Sequence, residues 1–284
     1  MRHIIYILLT AFLSFNSLGL QGSSAKTMTA QVDTMLVRTS RLGSDMIVTV
    51  AVPSSYTDSV NKHYPVVYLL NGYGGDYTDY NVRMKLDSLA TVTDVIIVCP
   101  DGRDSWYWDS PVDPEMKMES FIIEDLVPTV DARLRTIDDR DYRAITGLSM
   151  GGHGALWLAI RHKDLFGSVG SMSGGVDIDK PKWHKSWKIP ARLGAYETHK
   201  DNWKTHTVMS QLPKLNDGDL NIMFSCGKED FFYGVNCALD SALTKRGIKH
   251  VYTTAPGKHS WTYWTATLPT QLAFFATHFG KGNE

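Results

Sequence analysis

Apolar residues in this chain fall into short dense runs separated by stretches of helical period. Residues 65–70 and 94–99 are almost continuously apolar, the pattern of strands buried on both faces. Residues 142–146 read as a further strand and pass through a glycine-rich turn into an apolar helix over 155–160. Residues 167–173 are small and strand-like, and 220–225 and 249–254 supply two later strands. Near the start, 31–38 and 46–52 alternate in polarity around a turn at 40–44, which predicts an antiparallel hairpin at one sheet edge. Ile122, Leu126, Val130 and Leu134 recur every fourth residue and make one helical stripe over 120–135. Pro128 interrupts that stripe, so the helix either kinks or begins its regular part there. Two more helices are predicted over 231–246 and 261–279. Strands alternating with helices mean an α/β fold: a mostly parallel central sheet with helices on both faces.

One segment breaks the alternation. Residues 174–218 carry Trp183, Trp187 and Trp203 among lysines, histidines and two prolines. The segment reads as a small cap insertion over the strand ends, its tryptophans either stacking on an aromatic or sugar ring or, for most of them, forming the cap's own core.

Composition narrows the classes. The chain has 284 residues, 43% hydrophobic and 21% charged, enough for one large domain with a full core. A net charge of −1 leaves no electrostatic footprint for nucleic acid or an anionic membrane. Residues 1–25 read as a secretory signal peptide. Arg2 and His3 precede an apolar run from Ile4 to Leu13, and Ser23, Ser24 and Ala25 offer small residues for cleavage. That run is short for a bilayer span of about 20 residues, so no stable membrane insertion is expected after cleavage. The expected mature domain is 26–284, exported to the periplasm or the outside. Cys226 and Cys237 could pair there, or all three cysteines could be small buried residues. No metal-ligand spacing occurs, and neither metal nor cofactor is expected.

The candidate chemistry lies in the turns that follow the strands. Gly147, Ser149 and Gly151 form G-x-S-x-G, a nucleophile elbow, with strand before and helix after. Ser149 would stand on the strained turn, and a Cβ at either flanking glycine would collide with a neighbouring element. A serine hydroxyl needs a base, and the base needs an orienter. On a strand–helix sheet these come in the chain order serine, acid, histidine. Asp230 follows the 220–225 strand, with Glu229 as its competitor, and His259 follows the last strand. His153 lies within the elbow helix and reads as structural. The glycine-rich turn from Asn71 to Asp76 supplies backbone donors, so Tyr73 N–H and Met150 N–H are the expected oxyanion hole. Trp106 and Tyr107, just past a strand end, are expected to line a substrate pocket, and Trp261 to contact substrate.

These blocks resemble the esterase D family of α/β-hydrolases, which includes feruloyl, acetyl-xylan and tributyrin-type esterases, S-formylglutathione hydrolases and mycolyltransferases. Residues 147–154 match its elbow, 69–75 its oxyanion loop, 227–231 its acid turn, and 257–264 its G-x-H-x-W-x-x-W histidine block. Asp125 to Pro128 matches a further family stretch. Asn71 departs from the pattern, since many relatives carry His or Asp there. The resemblance implies an α/β-hydrolase fold and a serine carboxylesterase acting on a small-molecule or glycan-linked ester. It also leaves open acyl transfer to a sugar, and a non-catalytic binding module remains the third reading.

Overall fold

Eight strands form one sheet in the order β1-β2-β4-β3-β5-β6-β7-β8. They are β1 (Val32–Val37), β2 (Met46–Ala51), β3 (Val66–Leu70), β4 (Ile96–Pro100), β5 (Arg143–Gly147), β6 (Ser168–Met172), β7 (Asn221–Gly227) and β8 (Val251–Ala255). The computed structural model describes Met28 and residues 31–281. The expected signal peptide lies outside the described residues. Strands β1 and β2 are the antiparallel hairpin at one edge, β2 is antiparallel to β4, and every later pairing is parallel. Strands β3, β4, β5 and β6 are buried throughout; their residues are mostly apolar or small, and the one charge among them, Arg143 of β5, is paired with Asp131 and Asp138. Strand β8 is the other edge and four of its five residues are exposed.

The helices are α1 (Ser55–Asp58), α2 (Asp79–Arg83), α3 (Leu86–Thr93), α4 (Met118–Ser120), α5 (Val127–Arg133), α6 (Met150–Arg161), α7 (Ile189–Leu193), α8 (Lys200–Thr205), α9 (Val208–Gln211), α10 (Tyr233–Lys245) and α11 (Trp261–His278). Between α4 and α5 the chain stays helical through a wider turn of π type over Phe121–Leu126. Pro128 lacks an N–H and its ring crowds the carbonyl one turn back. The wide turn placed just before it keeps the helix continuous where the sequence suggested a kink or a start.

Two cores form, one on each face of the sheet. One gathers Val66, Tyr68, Leu70, Ile145 and the elbow helix α6. The other gathers Val67, Leu69, Ile97 and the inner face of α11. Gln271 ties α11 to the sheet: Thr146 Oγ1 donates to its Oε1 at 2.5 Å, and its Nε2 donates to the Ser171 carbonyl at 2.9 Å. Residues 174–218 hold α7, α8 and α9 with two short 3-10 turns. Trp203 is fully buried there, its Nε1 donating to the Gly194 carbonyl at 2.9 Å. Arg192 joins this segment to the loop after β4 through Asp104 and Asp113. The three cysteines are free thiols, so Cys226 and Cys237 do not pair. Among the described residues no helix is long and apolar enough to cross a membrane.

Candidate active site

The elbow is built by close backbone approach. A Cβ on Gly147 would lie 2.5 Å from the Leu70 carbonyl oxygen, and one on Gly151 would lie 2.2 Å from the same atom. Only glycine lets β5 and α6 pass β3 this tightly. Ser149 sits between them at φ 55°, ψ −116°, a strained conformation for a residue with a side chain, costing about 1–3 kcal/mol. Its N–H donates to the Met172 carbonyl at 2.9 Å, and its carbonyl accepts from His153 N–H at 3.0 Å. The strain is thus held from β6 and from the helix.

Three separate turns converge on its hydroxyl. Ser149 Oγ lies 2.8 Å from His259 Nε2, across 110 residues of chain. His259 Nδ1 lies 2.8 Å from Asp230 Oδ2 and 3.0 Å from Oδ1. A carboxylate only accepts, so Nδ1 carries the proton and Nε2 is left to accept from the serine hydroxyl. The Asp230 side chain is fully buried and also accepts from Phe232 N–H at 2.8 Å. Glu229, the competing acid, turns to the Gly257 N–H and pins the histidine loop to the acid turn. Gly227 permits that contact, since a Cβ there would stand 2.2 Å from the Gly257 oxygen. Trp264 packs edge-on against the His259 ring at 4.9 Å, its indole N–H donating to Ser173 Oγ at 3.1 Å.

The glycine loop passes beside the serine. A Cβ on Gly72 would lie 2.6 Å from Leu148 Cδ1 and 3.4 Å from Ser149 Cβ. Tyr73 N–H and Met150 N–H donate to no partner among the described residues. Met150 is the first residue of α6, so its free N–H also carries the positive end of the helix dipole. A cleft of about 260 Å³ opens here, lined by the loop from Gly72 to Gly75 together with Ser149, His259, Trp187, Phe231, Trp261 and Trp264. Asp79 and Arg83 complete its wall.

Trp261 lies in the cleft, whereas Trp106 and Tyr107 do not line it and are buried. Both have positive φ, at 56° and 62°. The Tyr107 ring lies in a slot between two glycines. A Cβ on Gly102 would lie 2.2 Å from its hydroxyl oxygen, and one on Gly154 would lie 2.3 Å from its ring. Its hydroxyl donates to Asn71, whose Oδ1 is 2.9 Å away. The same Oδ1 accepts from Gly102 N–H at 2.8 Å, and Asn71 Nδ2 donates to the Gly72 carbonyl at 3.1 Å. Asn71 therefore anchors the loop carrying the Tyr73 donor, with Tyr107 behind it. Trp106 stacks on Trp108 at 5.7 Å and donates to the Trp187 carbonyl at 3.3 Å.

His153 is fully buried, with Nδ1–H donating to the Gly175 carbonyl at 3.1 Å. Burial pushes its pKa down to about 3, so the ring stays neutral at ordinary pH. Sequence reasoning missed Asp79, Arg83, Phe231 and Trp264 as cleft residues, and left Trp187 between stacking on a substrate ring and packing inside the cap. Phe231 and Trp264 carried a signal, their places in the acid turn and in the histidine block.

A larger cavity, about 610 Å³, lies at the far end of α6. There Glu119 accepts from Trp157 Nε1 at 2.8 Å, Arg161 Nε at 2.7 Å and His162 Nε2 at 2.7 Å. Burial would raise its pKa, but these three donors outweigh burial and hold the carboxyl below its usual range. Ser120 and Ser210 line this cavity, but their hydroxyls donate to Asp109 and to the Thr205 carbonyl, and neither bonds a histidine among the described residues.

Residues 39–275 match the family model described as "Putative esterase". The chain is 36% identical over 148 residues to the esterase Rv1288 of Mycobacterium tuberculosis, half of this chain but 32% of that protein's length. It is 27% identical over 225 residues to an acetyl esterase of Caldicellulosiruptor saccharolyticus, covering 73% of this chain and 81% of that one. Among solved structures, a ferulic acid esterase superimposes with a TM-score of 0.75 at 26% identity, covering 87% of this chain and 97% of the other. The chain therefore belongs to this esterase family and has the α/β-hydrolase fold.

Proposed function

We propose that the protein is an exported serine carboxylesterase that cleaves short-chain or aryl esters, of acetyl or feruloyl type, through an acyl-enzyme. The observation that carries this reading is the hydrogen-bonded chain Ser149–His259–Asp230 beside two unpartnered backbone N–H groups. In the proposed cycle Ser149 Oγ attacks the ester carbonyl carbon while His259 Nε2 takes its proton. Asp230 holds the imidazole and balances the imidazolium. The carbonyl oxygen, now an anion, is bound by Tyr73 N–H and Met150 N–H, each donor contributing about 3–4 kcal/mol. His259 returns the proton to the leaving alcohol. Water, activated by the same histidine, then releases the acid and restores Ser149.

The names of the relatives support the acetyl and feruloyl choice of acyl group. Export rests on residues 1–25, read as a secretory signal. The test is hydrolysis of p-nitrophenyl acetate, p-nitrophenyl butyrate and methyl ferulate, with Ser149→Ala as control. Turnover that disappears in the variant is the expected result; equal inertness of both proteins overturns the reading. The N-terminus of the protein recovered from outside the cytoplasm should begin at or near Lys26.

A further inference from the structure

Helix α2 forms part of the cleft wall. Its two ends, Asp79 and Arg83, are one helical turn apart and share a face. Both line the same cleft as Ser149 and His259. Tyr80 fixes the helix between them: it is buried, its hydroxyl donates to the Leu70 carbonyl at 3.1 Å, and its ring meets Trp261 edge-on at 5.4 Å. The Arg83 guanidinium lies over the Trp261 ring, 4.8 Å from its centre. It makes no ion pair or hydrogen bond among the described residues. The Asp79 carboxylate fills the space left by Gly75, where a Cβ would stand 1.8 Å from its Oδ2. Burial, then the charge of Asp76, raise its pKa above the usual range. It bonds to no other side chain among the described residues, so most of its acceptor capacity is open.

We propose that Asp79 and Arg83 form a specificity site that binds a vicinal pair of oxygens on the substrate, at least one of them a hydroxyl. The inference rests on the esterase reading above. A carboxylate takes a donor and a guanidinium takes an acceptor, and a hydroxyl beside a second oxygen offers both. Charge decides against the alternatives: an anionic substituent gains from Arg83 and loses to Asp79, and a cationic one does the reverse. A neutral oxygenated ring uses both, and Trp187 and Phe231, stacked 5.9 Å apart, supply apolar area for its face. Such a pair occurs on a sugar, as the alcohol part of the ester, and on a hydroxy-methoxy-phenyl acid, as the acyl part.

Two matched pairs of esters separate these sources. One is mono-acetylated methyl xyloside against cyclohexyl acetate; the other is methyl ferulate against methyl cinnamate. The expected result is a preference for the oxygenated member of one pair, read as a ratio of kcat/KM. Asp79→Ala and Arg83→Met should each lower that ratio about tenfold, mainly through KM. A ratio within one protein cancels any general loss of competence. Movement in the first pair assigns the site to the alcohol, and movement in the second assigns it to the acyl group. Hydrolysis with both ratios unchanged overturns the inference and leaves the esterase reading standing. Absence of all hydrolysis overturns the esterase reading instead. Binding of methyl xyloside and ferulate, followed by tryptophan fluorescence, then decides the inference by itself. A Kd raised about tenfold in each variant supports it, and an unchanged Kd overturns it.

Discussion

The two hollows at opposite ends of helix α6 show what separates a candidate active site from a structural one. The larger, about 610 Å³, surrounds Glu119, whose carboxylate meets three donors. The smaller, about 260 Å³, surrounds Ser149, with a strained backbone and two unpartnered N–H groups beside it. Both contain tryptophan, histidine and a carboxylate. Size and residue type therefore do not locate the chemistry. A buried polar group with every bond made stabilises the fold and has nothing left to offer a substrate. Donors held without a partner are poised for charge that appears only in the transition state.

Substitutions at the two ends should break different things. At the smaller hollow, Ser149→Ala or His259→Ala should lower kcat for p-nitrophenyl acetate by about 10⁴-fold or more; Ser149→Ala should leave thermal stability near the wild-type value, whereas His259→Ala takes a donor from the buried Asp230 carboxylate and should lower it. Gly72→Ala places a methyl group against Leu148 and Ser149. It should shift the loop bearing Tyr73 and reduce kcat by about 10²- to 10³-fold, measured against the same ester.

At the larger hollow, Glu119→Ala leaves Trp157, Arg161 and His162 without their shared acceptor. Denaturant unfolding should show a loss of about 3 kcal/mol, with kcat of the folded protein near the wild-type value. Equal damage to kcat and stability there would dissolve the contrast. Tyr107→Phe tests the link between the core and the cleft. It removes the hydroxyl that holds Asn71, so kcat should fall about tenfold with KM little changed. A change in stability alone would make Tyr107 a packing residue.

The smallest effect belongs to His153, which lies between the two ends. Its folded pKa, about 3, is below the unfolded value of about 6.5. Between those values the unfolded chain binds more protons, so stability rises with pH. The contribution is complete above pH 6.5 and is lost as pH falls toward 3. From pH 6.5 to 5.5 the loss should be about 1 kcal/mol, and His153→Phe should remove that part of the slope. His206, whose pKa burial also lowers, adds to the wild-type slope and remains in the variant.

Much of this arrangement is local, and local features are legible in a chain. The elbow glycines, the apolar strands and the order of Ser149, Asp230 and His259 each follow from a few adjacent residues and the rule that turns after parallel strands share one edge. The preference for Asp230 over Glu229 agrees with the geometry, in which Glu229 bonds the Gly257 N–H. The place of two aromatic side chains was not legible. Trp106 and Tyr107 follow a strand end, as pocket residues do, yet left-handed backbone and the slot between Gly102 and Gly154 take them into the core.

The sequence by itself determined the class of fold, the strand–turn–helix that presents Ser149, and the partners available to it, because each depends on backbone sterics and short-range periodicity. Only the tertiary structure decided that Asn71 is held by Tyr107 across 36 residues, and that Asp79 and Arg83 face the ester cleft. It alone decided too that the wide helical turn absorbs Pro128. Those outcomes depend on which distant surfaces meet once the cores close, and a side chain's direction there is set by the space its neighbours leave.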